Sequence, residues 1–179
     1  AGGEVYEMRY EARLAAAPEA VWPAVESIGG ERGWYFADVL WKLRGFIDRL
    51  MGGVGLGPGR RDPACLLPGD ALDCWRVHAC EPPRRLALLA AMKSPGEGAL
   101  EIELEPAPAG GTRLVLRARF QPRGLAGLAY WWGMYFPHHV LFTGLVKGLA
   151  RAAGTGVLDG PRRVAPGNSP GCRLPGGGR

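Results

Sequence analysis

Two consecutive alternating runs of opposite charge limit the fold of this chain more than any other feature. In residues 99–105, Leu100, Ile102 and Leu104 alternate with Glu101, Glu103 and Glu105. In residues 112–121, Leu114, Leu116, Ala118 and Phe120 alternate with Arg113, Arg117 and Arg119. A period of two sends the apolar side chains to one face of a strand and the charges to the other. Turn residues fill the intervening 106–111, so the pair reads as an antiparallel hairpin. Acidic outer residues facing basic ones across that pair help to set its register. A sheet with one dry face needs another element of the chain to cover it.

The rest of the chain supplies the cover. Residues 5–14 place Tyr6, Met8, Tyr10, Ala12 and Leu14 opposite Glu7, Arg9, Glu11 and Arg13, a half-buried strand. Pro18 opens a short helix, 18–27, whose stripe is Val21, Trp22, Val25 and Ile28. Gly29-Gly30 breaks it. Residues 34–51 repeat apolar side chains at Val39, Leu40, Leu43, Phe46, Ile47 and Leu50, the period of an amphipathic helix. Asp38/Lys42 and Arg44/Asp48 are opposite charges at i,i+4 on its polar side, and the Gly-rich 52–59 ends it. Residues 70–80 and 86–93 read as another hairpin, with a further edge strand in 57–67. Residues 124–153 form a long helical pattern. The order of strand, helices, four strands and long helix predicts an α+β fold with an antiparallel meander. Residues 1–153 are the expected domain, and the Gly-, Pro- and Arg-rich 154–179 an expected disordered tail.

Several stretches resemble a known family. "ESIGGERGWYFADVLWKLRGFIDRLMGG", "GRRDP", "GDALDCWRV", "AAMKSPG" and "FQPRGLAGLAYWWGMYFPHHVLF" are similar to the domain-of-unknown-function family 2867, the likeness covering roughly residues 5–153. That family is grouped with the START-like, helix-grip superfamily and often follows an NAD(P)-binding, epimerase-like short-chain reductase domain. The resemblance implies a curved antiparallel sheet around a long C-terminal helix, with an apolar small molecule bound between them. Cys74, Ala91 and the neighbourhood of Ala99 carry smaller or less acidic side chains than the family pattern.

Composition narrows the function. The net charge of +5 and pI near 9.3 come from dispersed basic residues without a basic stripe interleaved with aromatics, so nucleic acid is not an expected partner. Cys65, Cys74, Cys80 and Cys172 contain no CxxC and no partner histidine spacing, which fits buried thiols in a reducing, cytoplasmic compartment. Gly53, Gly55 and Gly57 follow a helix instead of a strand, so they do not make a dinucleotide loop, and no cofactor is expected. His138 and His139 point about 100° apart on a helix and make a poor metal pair. Ser27, Ser94 and Ser169 lie in no GxSxG elbow, and no catalytic residue is assigned. Residues 124–146 lack a charged side chain over a length that could span a bilayer. Two histidines, Pro137 and four glycines argue against spanning; peripheral membrane contact is a lesser reading.

The expected ligand-binding face combines Trp75, Val77, Leu88, Ala90, Met92, Ile102, Leu104, Leu114, Leu116 and Phe120 from the sheet. Trp131, Tyr135, His139 and Phe142 join it from the long helix, and Arg76 and Lys93 are the expected polar anchors. The first functional expectation is a binding module for an apolar small molecule. The second is a non-catalytic accessory domain of an NAD(P)-dependent short-chain reductase. The third is a cavity-based enzyme such as a cyclase or hydrolase.

Overall fold

A computed structural model describes residues 4–50, 52, 53, 55 and 60–166 and, at residues 44 and 47, the backbone alone. Along the chain run β1 (Tyr6–Leu14), α1 (Pro18–Glu26), a 3-10 turn (Gly30–Arg32), α2 (Asp38–Leu50), β2 (Ala71–Leu72), β3 (Trp75–Glu81), β4 (Arg85–Ala90), β5 (Gly96–Pro106), β6 (Thr112–Pro122), α3 (Gly124–Ala152) and β7 (Val157–Val164). The strands form one seven-stranded antiparallel sheet in the order β2-β3-β4-β5-β6-β1-β7. This is the α+β helix-grip architecture: the sheet curves around the long helix α3.

Register follows the charge pattern. Glu101 stands opposite Arg117 and Glu105 opposite Arg113, while Ile102 meets Leu116 and Leu104 meets Leu114 on the inner face. On the outer face Arg117 pairs with Glu103 at 2.6 Å, Arg113 with Glu105 at 2.8 Å, and Arg119 reaches Glu7 of β1 at 2.7 Å. A one-residue slip would drive these charges into the core. The inner face is covered by α1, which contributes Val21, Trp22 and Val25, and by α3, which contributes Phe142, Leu145, Val146 and Leu149.

Four expectations change. The second helix begins at Asp38, because Tyr35 and Ala37 take left-handed backbone conformations (φ 57° and 53°) that a helix does not allow. Three members of its apolar stripe point outward: Val39 is 76% exposed, Phe46 60% and Leu50 72%, whereas Trp41 and Asp48 are buried. Within 57–67, Arg60 makes a lone bridge to Leu72 in place of an edge strand, residues 56–59 lying outside the described residues. Finally, residues 157–164 are not tail. They form β7, pairing antiparallel with the outer edge of β1 from Arg9↔Val164 to Leu14↔Val157. Most of that strand is exposed, so it needs no apolar alternation and showed none. The remainder of the expected tail, 167–179, lies outside the described residues.

Candidate functional site

The inner face is not filled along its whole length. On β4, β5 and β6 it carries Ala90, Gly98 and Ala118, small residues where neighbouring positions hold Leu and Phe. A Cβ added at Gly98 would meet that of Ala90 at 3.4 Å, an ordinary contact. The result is a cavity of about 300 Å³ between sheet, α2 and α3. Its walls are Trp75, Ala90, Met92, Phe120 and neighbouring backbone from the sheet, Leu40, Trp41 and Leu43 from α2, and Tyr130, Trp131, Met134, Pro137, His138, Leu141 and Phe142 from α3.

Aromatic contacts hold the walls. Trp41 stacks on Trp34 with centroids 4.6 Å apart, and Trp75 stands edge-on to Trp41 at 6.5 Å. Across the cavity, Trp131 lies parallel to Phe120 at 6.0 Å, and the His138 ring stacks on Phe142 at 5.3 Å. The α2 wall is pinned by a buried carboxylate. Asp48 accepts the Lys93 amide N–H at 2.7 Å through Oδ1 and the Gly55 N–H at 2.9 Å through Oδ2. A Cβ at Gly53 would lie 2.2 Å from that carboxylate, which explains a glycine there better than nucleotide binding does. Asp48 is therefore spent on backbone amides and ties α2 to the β4–β5 connection.

Polar groups on the walls are few. The Ser94 hydroxyl donates to the Gly96 carbonyl at 2.8 Å, and Arg119 Nε donates to Glu7 at 2.7 Å. Among the described residues, the buried Trp75 indole N–H meets no hydrogen-bond acceptor. A neighbouring groove of about 640 Å³ shares Ala90, Met92, Ser94 and Gly98, and is lined further by Lys93 and by Arg123, which pairs with Glu97 at 2.7 Å.

Of the residues expected from sequence, Trp75, Ala90, Met92, Phe120, Trp131 and Phe142 come together on the cavity wall. Val77, Leu88, Ile102, Leu104, Leu114 and Leu116 share the inner face but pack into the filled core. Two α3 residues face elsewhere. His139 Nδ1 is 2.8 Å from the Tyr10 hydroxyl, and Tyr135 lies beneath the Arg163 guanidinium at 4.9 Å. One residue of helix turns a side chain by about 100°, so choosing His139 over His138 selected the wrong face. Arg76 alternates with the inward Trp75 and Val77 and is exposed, so it is no anchor; Lys93 lines the groove instead of the cavity. The α2 wall of Leu40, Trp41 and Leu43 was not among the residues expected from sequence. Burial pushes the Tyr10 phenol up to about 12, Arg163 acting in the opposite sense, and burial likewise raises the Cys80 thiol to about 11.

A family model described as "Protein of unknown function (DUF2867)" matches residues 1–145. The chain belongs to the DUF2867 family. No curated protein matches it. Among solved structures, this DUF2867 chain is similar to the di-domain ARO/CYC StfQ from the steffimycin biosynthetic pathway, with TM-score 0.50 and 12% identity over 84% of this chain and 51% of that one. It is also similar to protein SA2116 from Staphylococcus aureus, with TM-score 0.46 and 15% identity over 85% and 98% of the two chains. CalU16 from Micromonospora echinospora gives TM-score 0.43 and 17% identity over 86% and 87%. At such identities the likeness to StfQ speaks for the fold alone. Among the described residues of this DUF2867 chain, no helix is long and apolar enough to cross a membrane, and no group of three or more His, Cys, Asp or Glu could hold a metal ion.

Proposed function

We propose that the chain binds an apolar small molecule in the cavity between the sheet, α2 and α3, and acts as a binding module without catalysis of its own. The observation that carries this reading is the cavity itself: about 300 Å³ walled mainly by apolar and aromatic side chains, with few polar groups. A large apolar volume left empty forfeits the dispersion contacts that packed interiors gain, and an apolar guest restores them. Cys65, Cys74 and Cys80 are free thiols, in keeping with a cytoplasmic setting.

Native mass spectrometry of protein purified without denaturation tests the reading, with Ala90→Trp as the control. A discrete added mass is expected on the unaltered chain and none on the variant, which should fold with little loss of stability because the indole enters open space. A clean apo mass together with destabilisation of Ala90→Trp by about 1–3 kcal/mol, the cost of overpacking, would sink it.

One observation favours a second role. The outward stripe of Val39, Phe46 and Leu50 on α2 is an exposed apolar surface of the kind that marks docking, and it suits an accessory domain seated on an NAD(P)-binding short-chain reductase domain. Hydrogen–deuterium exchange of the chain with such a domain would show protection concentrated in 38–50. Protection elsewhere, or none, removes this role without touching the cavity.

A further inference from the structure

The cavity's ligand can be specified further, on the assumption that the cavity binds one. Trp75 is 8% exposed, and its indole N–H is buried without an acceptor. Elsewhere the fold provides for such groups. Trp22 Nε1 donates to Glu26 at 3.1 Å, and Trp34 Nε1 donates to Asp73 at 2.9 Å. Trp34 is the closer comparison, because its ring lies 6.1 Å from that of Trp75 in the same aromatic cluster. Two neighbouring indoles thus differ in one respect: the one with an acceptor is held by the protein, and the one without forms a cavity wall.

A buried donor left unpaired is unfavourable, so a guest that supplies an acceptor gains more than a guest of the same shape that does not. The charge of the guest is constrained as well. Arg119, the one formally charged residue among the described wall residues, turns its side chain to the outer face, where it donates to Glu7. An ionised guest would therefore lose hydration without meeting a permanently charged side chain on the wall. Ser94 is likewise committed, its hydroxyl donating to Gly96.

We propose that the cavity takes an uncharged apolar molecule carrying a carbonyl-type oxygen, and that Trp75 Nε1–H donates a hydrogen bond to that oxygen. Trp75 is then a specificity-determining residue, and the apolar walls supply affinity without choosing among hydrocarbons.

Two probes of nearly one shape test this. 2-Acetylnaphthalene has a carbonyl where 2-isopropenylnaphthalene has a C=CH₂ group. Titration calorimetry of the unaltered chain should find the ketone bound roughly tenfold more tightly, the worth of one net hydrogen bond. Trp75→Phe keeps an aromatic ring on the wall but removes the donor, and should erase that ratio while leaving the alkene's dissociation constant nearly unchanged. The infrared C=O stretch of the bound ketone should move to lower wavenumber in the unaltered chain and return in the variant. Equal affinities for the two probes, a preference that survives Trp75→Phe, or an unshifted stretch would each overturn the proposal. Because the stretch is read on the unaltered chain, it decides the matter even if the variant fails to fold. If the alkene binds and the ketone shows no preference, the cavity stands and the role of Trp75 falls. If neither probe binds, cavity and proposal fall together.

Discussion

Tyr10 illustrates how far a single residue could be read in advance. Alternation along β1 placed it on the inner face, where it is fully buried. The partner for its hydroxyl, His139 Nδ1 at 2.8 Å, lies 129 positions away and no local pattern announces it. Burial raises this phenol from 10.0 to about 12, with Arg163 pulling the other way. Since the folded-state value is the higher one, the neutral phenol's contribution is complete below about pH 10 and is lost as the pH climbs through about 12. Urea unfolding followed from pH 9 to 12 should therefore show a steeper alkaline decline for the unaltered chain than for Tyr10→Phe. Parallel declines would show that folding does not shift the Tyr10 phenol. The cavity residues were legible to the extent that they alternate: Trp75, Ala90 and Phe120 sit on the right face of their strands. Which inward residues meet open space, and which meet α1 and α3, depends on how far each helix reaches across the sheet. Val77 and Leu116 share the face of Trp75 and Phe120 and still end in the filled core.

Among the elements, α2 departs most from its sequence pattern. A 3.6-residue repeat identifies a helix with two unlike faces but does not say which one meets the protein. Here the buried side holds Trp41, which stacks in the aromatic cluster, and Asp48, whose carboxylate is used up by two backbone amides. Fixing these two groups turns Val39, Phe46 and Leu50 outward. Exposed positions change stability little, usually within about 0.5 kcal/mol, whereas trimming a buried leucine costs about 2–5 kcal/mol. Phe46→Gln should accordingly leave the urea midpoint nearly where it was, and Leu116→Ala should lower it sharply. A large loss at Phe46 would mean that the stripe is covered after all. In α3 the glycines carry a related lesson. They read as weak helix formers, yet a Cβ at Gly144 would lie 2.2 Å from the Phe36 ring and one at Gly148 2.7 Å from Tyr35. These glycines admit the loop that precedes α2, a contact invisible to any local window.

For the molecule as a whole, the sheet order and the long helix were readable because charge alternation and turn chemistry agreed over β1, β5 and β6. The seventh strand was not, since β7 lies on the surface and has little to bury. Yet it occupies the outer edge of β1, a strand that would otherwise end the sheet. A chain ended after Ala153 should keep its cavity walls and lose its cover on that edge. Size-exclusion chromatography with light scattering should then report self-association that grows with concentration, where the longer chain stays at one mass. Equal behaviour of the two would show that the edge needs no cover.

The two rims of the sheet make a further point about life in a crowded solution. At one rim stands β2, only two residues long; at the other, β7 carries Gly160-Pro161 at its middle, then Arg162 and Arg163. Proline has no amide hydrogen to offer a neighbour, a two-residue strand gives little to copy, and like charges keep identical edges apart. Among the described residues, the two rims of this seven-stranded sheet thus present no long run of free amides on which another molecule could template a fibre.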